Sequence, residues 1–157
     1  MSGLLYPTKE FLSGLRKLCD KKNILLCFDE VQCGIGRLGT LFAYQTFGVE
    51  PDIVAMAKGL ANGLPIGACA AKGIAASVLT SGDHASTFGG NPVSCACANV
   101  VLDKLINKGI LQNVKNTGKY LNLKLSELKK QHSVIKAIRG IGLMTGIELT
   151  VNAKDIM

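Results

Sequence analysis

The chain has 157 residues, 48% of them apolar and 18% charged, the size and balance of one domain able to bury a core, which excludes disorder and fibrous repeats. Its longest uncharged stretch, His84 to Leu102, carries His84, Asn91, Pro92 and Asn99, which no lipid-facing helix tolerates, so no membrane partner is expected. The net charge of +7 sits in the C-terminal third, where ten Lys/Arg face four Asp/Glu over residues 100–157.

Thr8 is placed to cap a helix whose apolar positions Phe11, Leu12, Leu15 and Leu18 recur at helical spacing up to the Lys21-Lys22-Asn23 break. Glu10 and Arg16 fall where the apolar core of a leader peptide would lie, so a cytoplasmic chain is the expectation. Ile24-Leu25-Leu26-Cys27-Phe28 is a continuous apolar run ending in Asp29-Glu30, the pattern of a strand buried on both faces of a parallel sheet. A glycine-rich turn and a short aromatic segment lead to Pro51-Asp52 and a second such strand, Ile53 to Ala57, followed at once by Lys58. Ile66 to Ala71 is a third apolar run, and Thr87 to Pro92 is a turn into a helix reaching about Lys108.

Next, Leu111, Val114, Gly118, Leu121, Leu125 and Leu128 form a stripe opposite Lys115, Lys119, Lys124, Lys129 and Lys130. This predicts an amphipathic helix with a solvated basic face. A nucleic-acid surface would want arginines and interleaved aromatics, and only Tyr120 is near, so no nucleic-acid partner is expected. Val134 to Arg139 and Leu143 to Leu149, separated by Gly140 and Gly142, predict two strands, with a different sheet left open for the second. The six cysteines are scattered with no C-x-x-C pair. Cys95 and Cys97 lie on different faces of a helix, so reduced thiols and no metal are expected.

Three residues make chemical sense as a set: Asp29 at a strand end, Gln32 three residues on, and Lys58 at the end of the next strand. Each alone is commonplace, because lysines are usually solvated and strand-end aspartates usually form turns. A lysine closing a buried run is partly desolvated, which favours the neutral, nucleophilic amine that pyridoxal phosphate requires. That cofactor also requires a carboxylate to keep its ring nitrogen protonated, a role open to Asp29.

Phe28-Asp29-Glu30-Val31-Gln32-Cys33-Gly34-Ile35-Gly36-Arg37, then Pro51-Asp52-Ile53-Val54, Ala57-Lys58-Gly59 and Ser86-Thr87-Phe88-Gly89-Gly90-Asn91-Pro92 strongly resemble the class III pyridoxal-phosphate aminotransferases, most nearly those acting on acetylornithine. The resemblance implies pyridoxal 5'-phosphate as cofactor and transamination of N-acetylornithine, or a similar omega-amino acid, with 2-oxoglutarate in arginine biosynthesis. Ornithine and 4-aminobutyrate enzymes are the alternatives, as is a shortened chain inactive by itself. It implies that Asp29 pairs with the ring nitrogen, Val31 packs on the ring face, Gln32 bonds the ring hydroxyl, Lys58 forms the Schiff base and shuttles the proton, and Thr87 binds phosphate across a homodimer interface. Glu30 is then a supporting residue and Arg37 a brace for its loop. Ala85 stands where glycine is usual, which predicts a displaced Thr87 loop if the position needs positive φ.

The implied fold is α/β: the three-layer αβα large-domain portion of a fold-type I transferase over residues 1–108, then a linking helix and the start of a C-terminal α/β small domain over 109–157. The family's bipartite fold is longer, so this chain supplies the middle and part of the C-terminal region.

Overall fold

The computed structural model describes residues 4–155. Helix α1 runs Lys9–Lys22, its first turn closed by the Thr8 hydroxyl, which accepts from the Phe11 N–H at 3.2 Å. Glu10 near its start and Lys21 and Lys22 near its end suit the helix dipole, and Asn23 ends it in the left-handed region at φ 53°. Leu12 and Cys19 point inward to a cluster with Leu26 and Val49, whereas Phe11 and Leu18 face outward.

Strand β1 is Cys27–Asp29, shorter than the five-residue buried run predicted from Ile24 to Phe28. Ile24 and Leu25 are exposed, because β1 is the edge of a sheet ordered β1-β2-β3 and hydrogen-bonds to one neighbour among the described residues. That neighbour, β2 (Ile53–Met56), runs parallel with Cys27 opposite Ile53, Phe28 opposite Val54 and Asp29 opposite Ala55. Strand β3, Ala68–Ala71, pairs antiparallel to β2, and its four small residues are exposed. At the opposite end of the sheet, Asp52 Oδ2 accepts from the Leu26 N–H and from Arg16 Nη1, both at 2.7 Å, tying α1 to the starts of β1 and β2.

Between β1 and β2 the chain passes through a turn over residues 31–38 and a short helix α2, Ala43–Phe47, ended by Gly48 at φ 68°. Helix α3, Pro92–Asn107, begins as the sequence predicts: proline occupies the first turn and the Asn91 side chain accepts from the N–H groups of Val93 and Ser94. Ala98 of α3 packs with Val54, Met56, Leu60 and Ala61, so α3 lies against both β2 and the 3₁₀ turn Lys58–Ala61. Helices α1 and α3 pack on the sheet through separate clusters, and the chain is of the predicted α/β class.

Helix α4, Ile110–Gln131, turns Val114 and Gly118 inward and keeps its lysines outside. Gly118 is required there: a Cβ would stand 2.6 Å from the Gly142 carbonyl oxygen. Strands β4 (Ile135–Ile141) and β5 (Met144–Leu149) pair with each other as an antiparallel hairpin, a second sheet formed by both strands rather than by the last alone. Ile141 opposite Met144 leaves a two-residue loop, and Gly142 supplies its positive φ of 60°. No helix among the described residues is long and apolar enough to cross a membrane.

Candidate functional site

Because β1 and β2 are parallel neighbours, their C-terminal ends share one edge of the sheet, where ligands of open α/β folds collect. Asp29 is the last residue of β1, opposite Ala55, and Lys58 follows Ala55 by three residues. The backbone of Lys58 is left-handed, φ 44°, a conformation that costs a non-glycine residue of the order of 1–3 kcal/mol and clusters at functional sites. The buried Leu60 and Ala61 beside Ala98 of α3 over-determine the turn and sustain that strain.

Lys58 and Gly59 line a recess of about 350 Å³ together with Val31, Gln32, Arg37 and the hairpin residues Leu143, Met144 and Thr145. The structure therefore brings Lys58, Val31 and Gln32 into one space. Asp29 stands at the same edge but lines an adjoining, mostly apolar recess of about 290 Å³ with Phe28, Cys33, Tyr44 and Met144. Its Oδ1 accepts from the Val31 N–H at 3.0 Å, shaping the turn, and Oδ2 has no hydrogen-bond partner among the described residues. Lys58 is exposed, not desolvated as the strand pattern predicted, because the recess is open and only a turn, Gly59 and the hairpin wall it.

Glu30 is the most buried charged residue here, 2% exposed. Its Oε2 accepts from the Ala43 N–H at 2.6 Å and its Oε1 from the Tyr44 N–H at 2.7 Å, anchoring the start of α2. Burial pushes its carboxyl above the usual glutamate range, against the pull of the Tyr44 and Ala43 N–H groups. The same burial, aided by the Glu30 charge, raises the Cys33 thiol.

Thr87 lies apart, in an exposed stretch between β3 and α3, and lines neither recess. Ala85 has no positive φ, so the strain foreseen there does not arise. The Arg37 side chain makes no hydrogen bond among the described residues; the brace comes from its carbonyl, which accepts from the Leu143 N–H at 3.0 Å. All six cysteines are free thiols; Cys19 is buried, whereas Cys27 and Cys69 are exposed. The hairpin wall of the Lys58 recess went unread in the sequence. Gly142 was its one signal: a Cβ there would press to 2.7 Å from the Leu38 backbone.

The donor set suits pyridoxal phosphate: an amine, an apolar residue and a side-chain amide share one recess, with a carboxylate oxygen that has no partner among the described residues at the same sheet edge.

A family model described as Aminotransferase class-III matches residues 1–157. An acetylornithine aminotransferase of Clostridium acetobutylicum is 51% identical over 99% of this chain and 40% of its own length. Among solved structures, Plasmodium falciparum ornithine delta-aminotransferase is similar with a TM-score of 0.90 and 37% identity, over 98% of this chain and 41% of that one. A Toxoplasma gondii ornithine aminotransferase, described with partial occupancy of PLP at its active site, gives a TM-score of 0.87 and 37% identity over 94% of this chain and 35% of that one. The chain spans about 40% of the length of the curated relatives it matches.

Proposed function

Because the chain belongs to the class III aminotransferase family, we propose that it carries the cofactor-binding centre of an enzyme that transfers an amino group from N-acetylornithine to 2-oxoglutarate in arginine biosynthesis. The observation that carries this reading is the parallel β1–β2 pair, which sets Asp29 and the strained Lys58 at one edge with Val31 and Gln32 beside the lysine. Pyridoxal phosphate, when bound, supplies an electron sink for charge developing at the substrate carbon.

The residues divide that work. Asp29 Oδ2 would accept from the ring nitrogen and keep it protonated, since a carboxylate there favours the cationic form. Val31 would pack on the ring face and Gln32 would bond the ring hydroxyl through its amide. Lys58 Nζ would hold the cofactor covalently and, once the substrate's amino group displaces it, would be the free amine that takes a proton from the substrate carbon and returns it one position away. Thr87 would bind phosphate from the second copy of a homodimer; its exposure, and its absence from the lining of either recess within one chain, support that assignment. The division between large-domain portion and linking helix falls at Lys108/Gly109, a boundary supported by the separate sheets on either side. A cytoplasmic enzyme fits this chemistry.

The test is borohydride reduction of the cofactor-loaded polypeptide followed by peptide mapping. Label confined to Lys58 and abolished in Lys58→Ala is expected; label spread over several lysines, or undiminished in that variant, removes the centre of the reading. A second reading, ornithine as donor, is favoured by the 0.90 TM-score to an ornithine enzyme. Acetylornithine ranks first because identity to an enzyme of that name reaches 51% against 37%. Parallel assays with acetylornithine, ornithine and 4-aminobutyrate decide the order.

A further inference from the structure

The geometry points to Glu30 as a positioning residue for the Lys58 recess, its carboxylate locking the turn that carries Val31 and Gln32 onto the strand pair that carries Asp29 and leads to Lys58. The inference rests on the aminotransferase reading above and deepens it.

Three elements meet at this residue. Its N–H donates to the Ala55 carbonyl at 2.9 Å, extending the β1–β2 pairing one step beyond Asp29 and toward Lys58. Its carbonyl accepts from the Gly34 N–H at 2.9 Å, closing the turn over Val31, Gln32 and Cys33. Its side chain accepts from Ala43 and Tyr44, thirteen and fourteen residues on, so the far end of the loop is fastened to the same point. The packing leaves no slack: a Cβ on Gly34 would stand 2.8 Å from the Glu30 carbonyl oxygen and 2.9 Å from Oε2.

The chemistry of the group is specific. An ionised carboxylate offers two acceptor oxygens to two N–H groups, whereas an isosteric amide offers one acceptor and sets an NH₂ against the other N–H. With the residue 2% exposed, no water replaces the missing acceptor. Glu30→Gln therefore releases one fastening with almost no change of volume. The displacement passes along the backbone to its neighbours, because the Val31 N–H is bound to Asp29 Oδ1 and Gln32 follows directly.

The experiment compares Glu30→Gln, Glu30→Asp and, as a structural control, Asp52→Asn, in the full polypeptide carrying this sequence. Asp52 also accepts two strong hydrogen bonds, at the other end of the sheet. Without cofactor, amide exchange is expected to quicken roughly tenfold at Val31 and Gly34 as well as at Ala43 and Tyr44 in Glu30→Gln, and at none of these four in Asp52→Asn. With pyridoxal phosphate bound, the pH midpoint of its visible absorbance moves in Glu30→Gln, and kcat falls on the order of 10- to 100-fold while KM changes less. Glu30→Asp, which keeps two acceptors, recovers part of both, and it carries the measurement if Glu30→Gln does not fold. Exchange quickened at Ala43 and Tyr44 alone, with an unmoved absorbance titration, overturns the proposal and leaves Glu30 a plain helix anchor. If the wild-type polypeptide itself shows no such absorbance band, the aminotransferase reading falls and this inference with it. A Lys58-labelled wild type with an unaffected Glu30→Gln removes the Glu30 role alone.

Discussion

Two carboxylates on the same sheet respond to pH with opposite signs. Asp52 is held below the usual aspartate range, first by the Leu26 N–H and then by Arg16. Its stabilising contribution is therefore complete above that range and is lost as pH falls through the lowered folded value. Glu30 is pushed up by burial against two N–H groups. The folded chain keeps its proton where the unfolded chain has released it, so this contribution is complete below the usual glutamate range and is lost as pH rises through the raised value. Urea midpoints measured across pH should show the acid-side loss flattened in Asp52→Asn and the decline on the alkaline side of ~pH 4.3 flattened in Glu30→Gln; an acid limb unchanged in Asp52→Asn would refute the first. At this scale the sequence was uneven as a guide. Asp29 and Lys58 were legible because each closes an apolar run, and strand ends are where side chains meet ligands. Glu30 was not, because its partners are backbone amides of Ala43 and Tyr44, which leave no side-chain signature to match.

Helix boundaries were readable where a side chain sets them: Thr8 and Asn91 stand where hydroxyl and amide oxygens satisfy free N–H groups. The extent of β1 was not readable, because an apolar run records what is to be covered and not whether a neighbouring strand is there to cover it; hence Ile24 and Leu25 lie exposed beside a three-residue strand. Nor did periodicity distinguish two helical glycines that differ in kind. Gly14 in α1 has nothing within 4 Å of a would-be Cβ, while at Gly118 in α4 that atom would meet the backbone of Gly142 at 2.6–2.8 Å. Gly14→Ala should stabilise the chain by about 0.5–1 kcal/mol through helix propensity alone. Gly118→Ala should destabilise it by about 1–3 kcal/mol, because backbone cannot yield as a side chain tip does. A thermal midpoint that does not fall in Gly118→Ala would show that α4 does not rest on the hairpin turn as described.

At the scale of the whole molecule, large apolar side chains stand exposed along one stretch of the described chain. Ile74, Leu79, Phe88 and Val93, between β3 and the first turn of α3, are 71%, 71%, 83% and 62% exposed. Covering a side chain of this kind is worth about 1.5–3 kcal/mol. Four together reach roughly 6–12 kcal/mol, comparable with the ~5–15 kcal/mol that holds an entire domain folded. Apolar side chains exposed on one stretch of chain are candidates for cover, by a further part of the family's longer fold or by a second copy of this chain. The resemblance assigns Thr87, in the middle of the same stretch, to a dimer interface, which makes the second copy the favoured occupant. Residues 1–157 purified alone should therefore associate, with a mass by light scattering that rises with concentration and a bound apolar dye displaced as it does. Ile74→Ser, Leu79→Ser and Phe88→Ser in combination should lower both signals without touching Asp29, Gln32 or Lys58. A monomer at every concentration, with no dye bound, would mean that the stretch folds back on its own chain and that Thr87 is not held out for a partner.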